Sequence, residues 1–184
     1  MKFITIGIVD YALGNHLSIK NCLYNLGYKV VISNLINELK SVDLILLPGV
    51  GAFSPAMENL KKKKLDKFIK NWHEDSKPII GICLGMQLFA KSSNENGYSL
   101  GLGLIKNDVK NLARNKSHIG WNAINNIKLS FLEYKIEDNT FYFNHSYAYN
   151  LDSDYTLATC QINGVEVPAI VGYNNLIGVQ FHPE

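Results

Sequence analysis

Ile79-Ile80-Gly81-Ile82-Cys83-Leu84-Gly85-Met86-Gln87 is the stretch on which the reading of this chain turns. An isoleucine-rich run enters a cysteine that has glycine two residues away on either side, and a helical run follows. Strand, glycine-flanked nucleophile and helix in that order form the pattern of a nucleophile elbow. The nucleophile of such an elbow sits in a strained turn, and larger flanking side chains would collide with it or with the sheet. The turn predicts Cys83 at the carboxyl end of a central strand and at a helix amino terminus, where dipole and free N–H groups favour thiolate and oxyanion. The competing reading is a buried, inert thiol. Cys22, at helical spacing, and Cys160, in a strand pattern, are both read that way.

Upstream of the elbow, strand-like and helix-like runs alternate. Phe3 to Val9 reads as a buried strand, followed by a polar turn and then Ile19, Cys22, Leu23 and Leu26 at helical spacing, stopped by Gly27. Lys29 to Ile32 and Leu44 to Leu47 read as further strands. After Pro48-Gly49-Val50-Gly51, Ser54-Pro55 reads as an N-cap with proline at the first helical position. Met57, Leu60, Leu65, Phe68, Ile69 and Trp72 mark one face of a single long helix, with Lys61 to Lys64 on its solvated side. Alternation of this kind predicts a mainly parallel sheet covered on both faces.

Downstream the pattern changes. No long helix is evident, and Phe141–Phe143, Thr156–Ile162, Val167–Val171 and Leu176–Phe181 read as short strands. Asn163-Gly164 and Asn174-Asn175 are the expected hairpin turns. These strands are expected to extend one edge of the sheet in antiparallel fashion, within one domain spanning residues 1–184.

Bulk properties exclude several classes. The 184 residues are 47% hydrophobic and 18% charged, with a net charge of +2, too small to suggest nucleic acid. No apolar run approaches the ~20 residues of a membrane-spanning helix, and the amino terminus lacks signal-peptide features. Three cysteines without CxxC spacing argue against a disulfide framework or zinc site and for a reducing, cytoplasmic setting. No phosphate-binding or metal-ligand motif appears, so no cofactor and no metal are expected.

A thiol nucleophile needs a base. Of His16, His73, His118, His145 and His182, the last stands out because it follows the apolar strand ending at Phe181. Pro183 blocks continuation of that strand, and Glu184 is placed to accept from the imidazole. Cys83, His182 and Glu184 then form a nucleophile, base and orienting carboxylate. A capped histidine at a strand end is the competing reading.

These motifs together resemble the class I glutamine amidotransferases, a family with a Cys-His-Glu triad. Gly81-Ile82-Cys83-Leu84-Gly85-Met86-Gln87 is similar to their nucleophile segment and Gln180-Phe181-His182-Pro183-Glu184 to their His-x-Glu segment. Asp10-Tyr11-Ala12-Leu13-Gly14-Asn15, Pro48-Gly49-Val50-Gly51-Ala52-Phe53, His118-Ile119-Gly120-Trp121-Asn122 and Asn144-His145-Ser146-Tyr147 resemble, in order, the branch comprising the glutaminase subunits of imidazole glycerol phosphate synthase, in histidine biosynthesis. The resemblance implies a flavodoxin-like, three-layer α/β fold. It implies hydrolysis of glutamine by Cys83, with His182 moving protons and Glu184 orienting it. Leu84 and the Gly49-Val50-Gly51 loop would supply the oxyanion hole, and Gln87, Ser146 and Tyr147 would hold the substrate's amino-acid end. Asn15, Trp121, Asn122 and Tyr142 would dock a barrel-type cyclase in a heterodimer and pass ammonia to it. Taken without the resemblance, Gln87 reads as a surface helix residue and Tyr147 as a half-buried strand aromatic. Core is the competing reading for Trp121, although Gly-Trp-Asn beside a histidine is less typical of a core strand and favours the interface.

Two positions depart from the family pattern. Ser117 stands where proline is usual, and the chain stops at Glu184 where relatives continue into a helical end, so a missing C-terminal helix is expected. The alternatives are a glutaminase subunit for an amidino-sugar-forming enzyme of surface polysaccharide synthesis, a stand-alone cysteine hydrolase, and a non-catalytic binding subunit.

Overall fold

The computed structural model describes residues 4–112, 117–128, 139–152 and 154–184; Phe3, the expected start of the first strand, lies outside them. Five strands run parallel: β1 (Thr5–Val9), β2 (Lys29–Ser33), β3 (Leu44–Leu47), β4 (Ile79–Ile82) and, from the far end of the chain, β13 (Leu176–Val179). Their order is β2-β1-β3-β4-β13, and β12 (Val165–Tyr173), β11 (Thr156–Ile162), β8 (His118–Asn125) and β9 (Thr140–His145) continue the sheet antiparallel, to nine strands. The expected mixed α/β sheet is therefore present, with 2-1-3-4-5 order in its parallel part.

Strand alternation splits the parallel half into two packed layers. Val9, Ile45, Leu47 and Ile79 face α2 (Ile36–Leu39), α3 (Phe53–Lys62) and α4 (Leu65–Glu74), which bury Leu39, Met57, Leu60, Leu65 and Ile69 against them. Ile6, Ile8, Leu46 and Ile82 face the other way, toward Ile19 and Leu23 of α1 (His16–Asn25). A third core, with Ile124, Phe143, Cys160, Ala169 and Phe181, fills the antiparallel half. It includes Leu112 and Ala148 from beside and within a small sheet ordered β10 (Tyr147–Tyr149), β7 (Asp108–Asn111), β5 (Ser92–Ser93), β6 (Ser99–Leu100).

Several local expectations hold. Gly27 follows α1 at φ 86°, and Asn163 and Gly164, both at positive φ, make the two-residue turn between β11 and β12. Asn174-Asn175 turns β12 into β13. The helical segment before the elbow is different from what its apolar face suggested. It is two helices, broken where Lys64 takes φ 58°, and Lys63 leaves the solvated row to donate from Nζ to Asp10 O at 3.2 Å. It also begins at Phe53 rather than after Ser54. Ala52 occupies the cap position, and the Phe53 N–H is met from a distant part of the chain by Glu95 Oε2 at 2.7 Å. Neither β8 nor the small sheet was anticipated from the sequence.

Candidate active site

Parallel pairing of β4 with β13 sets up the site. Val179 is registered opposite Ile82, so both chains emerge side by side at one end of the sheet, carrying Cys83 and, three residues beyond Val179, His182. Cys83 has φ 52° and ψ −111°, a conformation side chains rarely adopt, and hydrogen bonds pin it on both sides. Its N–H donates to Val179 O at 2.8 Å, and its carbonyl accepts from Gln87 N at 3.2 Å.

The flanking glycines are sterically required. A Cβ at Gly85 would lie 1.8 Å from Leu47 O, and one at Gly81 would lie 2.5 Å from the Phe89 ring. Gly178 on β13 is equally confined, 2.7 Å from the Met86 side chain, which lets α5 (Leu84–Gln87) lie close on the sheet. The helix after the nucleophile is one turn of four residues, shorter than expected, so its dipole is small. What remains is local: the Leu84 N–H, at the first helical position, has no partner within the helix.

His182 hydrogen-bonds to the Cys83 side chain, and its Nδ1 lies 3.1 Å from Glu184 Oε1. Those two contacts, Cys83 first, raise its pKa to about 10 against the opposing effect of burial. Both contacts favour the charged form of the imidazole. Glu184 is exposed along its backbone, yet its side chain is tucked in, only 7% accessible. The His182 N–H donates to Tyr142 O at 2.9 Å, so the base hangs from β9, the outermost strand.

A cleft of about 280 Å³ surrounds the sulfur, lined among others by Val50, Gly51, Leu84, Gln87, Ser146 and Tyr147. All the triad-side expectations except Gly49 and Glu184 thus appear on its wall; Gly49 lies behind it, where a Cβ would meet Tyr11 Oη, Leu84 and Gly85 N. Gln87 is buried rather than on a helix surface. Its Nε2 donates to Tyr147 O at 2.8 Å and to Gln180 Oε1 at 3.1 Å. Gln180, fully buried, points Nε2 at Cys83 Sγ from 3.8 Å.

Four lining or contacting residues had no assigned role in the sequence: Glu95, Asn144, His145 and Gln180. Gln180 carried a signal, a polar side chain at the buried end of an apolar strand. Glu95 carried none, because it reaches the cleft from the turn of the β5–β6 hairpin. Cys160 is buried and its thiol is pushed up to about 12 by burial, as suits a structural role.

Three of the four expected docking residues, Trp121, Asn122 and Tyr142, lie on the antiparallel half. Trp121 is 74% exposed, which excludes the core reading, and meets Tyr142 edge-on at 5.9 Å between centroids. Asn15 is exposed at the start of α1, and Asn122 is half-buried on β8. A larger concavity, about 590 Å³ beside Asn126, Thr159 and Glu166, has no cysteine or histidine among the described residues that line it. Among the described residues no His, Cys, Asp or Glu cluster could hold a metal, and no helix is long and apolar enough to cross a membrane.

Residues 7–184 match the family Glutamine amidotransferase class-I. Among curated relatives, imidazole glycerol phosphate synthase subunit HisH of Bacillus velezensis is 41% identical, covering 97% of this chain and 88% of the relative. The subunit of the same name from Lactococcus lactis is 42% identical, over 96% and 89%. Among solved structures, PurLQS from Thermotoga maritima superposes with a TM-score of 0.76 at 22% identity, covering 99% of this chain and 88% of that one. The glutaminase domain of Trypanosoma brucei CTPS with bound acivicin gives 0.68 at 16%, over 98% and 86%. At those identities the structures speak for the fold alone.

Proposed function

This chain belongs to the class I glutamine amidotransferase family, and from that membership we propose that it is the glutamine-hydrolysing subunit of an imidazole glycerol phosphate synthase. The observation that carries the proposal is the strained Cys83 at the end of β4, beside the strand end that carries His182, whose Nδ1 lies 3.1 Å from Glu184 Oε1.

Cys83 Sγ attacks the carboxamide carbon of glutamine, and the oxyanion that forms takes hydrogen bonds from Leu84 N–H and from the Gly49-Val50-Gly51 loop. Each such donor is worth about 3 kcal/mol. His182 gives its proton to the departing nitrogen, the C–N bond breaks, and ammonia leaves a glutamyl thioester. Water then attacks the thioester while His182 takes its proton, and glutamate departs as the thiolate is restored. Gln87 and Gln180 contact each other beside the sulfur, and Ser146 and Tyr147 hold the amino-acid end of the substrate. Glu95, which also lines the cleft, supplies a carboxylate for the substrate's ammonium group.

Trp121 and Tyr142, exposed and half-exposed on β8 and β9, form the centre of the surface that receives a barrel-type cyclase subunit, with Asn15 and Asn122 at its margin. Exposed large aromatics are what such a contact uses. Ammonia passing across that contact stays out of bulk water, where protonation would remove its nucleophilicity. The setting of such an enzyme is the cytoplasm.

The test is glutamate release from glutamine by the chain alone and with the cyclase subunit of the same source loaded with its ribonucleotide substrate. Strong release with the loaded cyclase is expected. Release only with a sugar-modifying partner would move the chain to another pathway, and no release under any pairing would end the glutaminase reading.

A further inference from the structure

His118 and His145 face each other across β8 and β9, both buried, and the reaction above uses neither. Their hydrogen bonds run in one direction. The Tyr147 carbonyl lies 2.9 Å from His145 Nδ1, and a carbonyl only accepts, so that nitrogen carries the proton. Burial lowers the His145 pKa to about 4, so the ring is neutral and its Nε2 is an acceptor. His118 Nδ1, 3.0 Å away, must therefore donate to it. Burial also lowers the pKa of His118, leaving its Nε2 to accept from Asn122 Nδ2 at 3.0 Å. The same amide donates to Gln161 O at 2.8 Å, which fixes its orientation. Each donor meets an acceptor from Asn122 to Tyr147, and one pair of tautomers satisfies all of them.

The two ends of this chain of bonds lie in different places. Asn122 is half-buried on β8, next in sequence to exposed Trp121. Tyr147 O is in the cleft, where it also accepts from Gln87 Nε2. His145 itself sits between Asn144, whose carbonyl lies 4.0 Å from Cys83 Sγ, and Ser146.

We propose that Asn122, His118 and His145 are positioning residues: their unidirectional hydrogen-bond relay holds the Asn144–Tyr147 wall in the shape that grips the amino-acid end of glutamine. The proposal rests on the glutaminase reading. Breaking the relay leaves a buried ring nitrogen unmatched, which the wall relieves by shifting.

Two substitutions separate the relay from packing. His118→Phe keeps the bulk that stacks on Phe143, at 4.4 Å between centroids, but removes both nitrogens. His118→Asn loses bulk but keeps a donor at the Nδ1 position. The full chain is treated with a chloroketone analogue of glutamine, or with iodoacetamide, which has no amino-acid end, and alkylation is read at Cys83 by mass spectrometry. His118→Phe is expected to raise the half-saturating chloroketone concentration roughly tenfold, and His118→Asn no more than about threefold. Iodoacetamide should label both variants at rates within about twofold of the parent. Asn122→Ala, at the half-buried end and tolerable for folding, should shift half-saturation in the same direction.

The opposite order, with Asn worse than Phe, identifies simple packing and overturns the relay. So does a saturable parent with unshifted Phe and Asn122→Ala variants. A parent whose labelling by the chloroketone does not saturate overturns the glutaminase reading, and the relay with it.

Discussion

The parallel and antiparallel halves of the sheet bury themselves by different means. From β1 to β4, strands alternate between two cores, and helices cover both faces, so the elbow at Cys83 is enclosed by Leu47, Phe89 and Met86 at van der Waals limits. From β8 to β12 one core is filled, and the outer positions of β8, Ile119 and Trp121, stand open. Cys83 is thus held by crowding, whereas His182 and the segment from Asn144 to Tyr147 are held by hydrogen bonds to β9 and β8. A rigid sulfur and an adjustable surround suit the proposed function, in which the second half also receives a partner.

The largest effect should come from the sulfur itself. Cys83→Ala or Cys83→Ser should lower glutamate release by about 10⁴-fold or more while leaving ammonia-driven synthesis by the partner intact. Retained glutaminase activity in either variant would remove Cys83 as nucleophile. The contrast in crowding is tested next. Gly85→Ala forces a Cβ against Leu47 O and should destabilise the fold by more than roughly 3 kcal/mol in denaturant titrations. Gly120→Ala, on β8 at φ 132° with nothing within 4 Å, should cost only about 1–2 kcal/mol, the strain of the backbone alone. Equal losses would erase the distinction between the halves.

The link between the halves is His182. Glu184→Gln should reduce kcat by about 10²-fold, because the imidazole loses its orienting charge. Since Cys83 is the largest cause of the raised His182 pKa, its NMR titration should fall from about 10 toward the usual histidine range in Cys83→Ala. The sign for stability follows. A pKa raised on folding stabilises fully below the unfolded value near 6.5 and loses that contribution as pH rises through about 10. The melting temperature of the parent should therefore drop more between those pH values than that of Cys83→Ala. The smallest effect on the fold belongs to Trp121→Ala, within about 0.5 kcal/mol by melting, although docking to the cyclase should weaken by about 2 kcal/mol or more.

What could be read in the sequence divides along the same line. Gly81, Cys83 and Gly85 are neighbours in the chain, so the steric demand that joins them is written locally, and the parallel strands were legible for the same reason. His182 and Glu184 were readable as a strand end and its stop. The break at Lys64 was hidden because α3 and α4 share one apolar face, and periodicity does not register a single left-handed residue. β8 escaped notice since its exposed positions carry Ile119 and Trp121, which reverses the usual polar outer face of a half-buried strand. Gln87 looked like a surface residue because its partners, Tyr147 and Gln180, are 60 and 93 positions away.

Glu95 closes the amino end of α3 through Phe53 N–H and also borders the cleft. Under the proposed function its carboxylate is shared between a helix terminus and the substrate's ammonium group. Reciprocity then applies: if an ammonium group bound there alters the hold on Phe53, the order of the Gly49-to-Phe53 segment must alter the affinity for that ammonium by the same factor. Occupancy of the substrate's far end and the state of the loop that faces the sulfur become one thermodynamic variable, with a single side chain as the coupling.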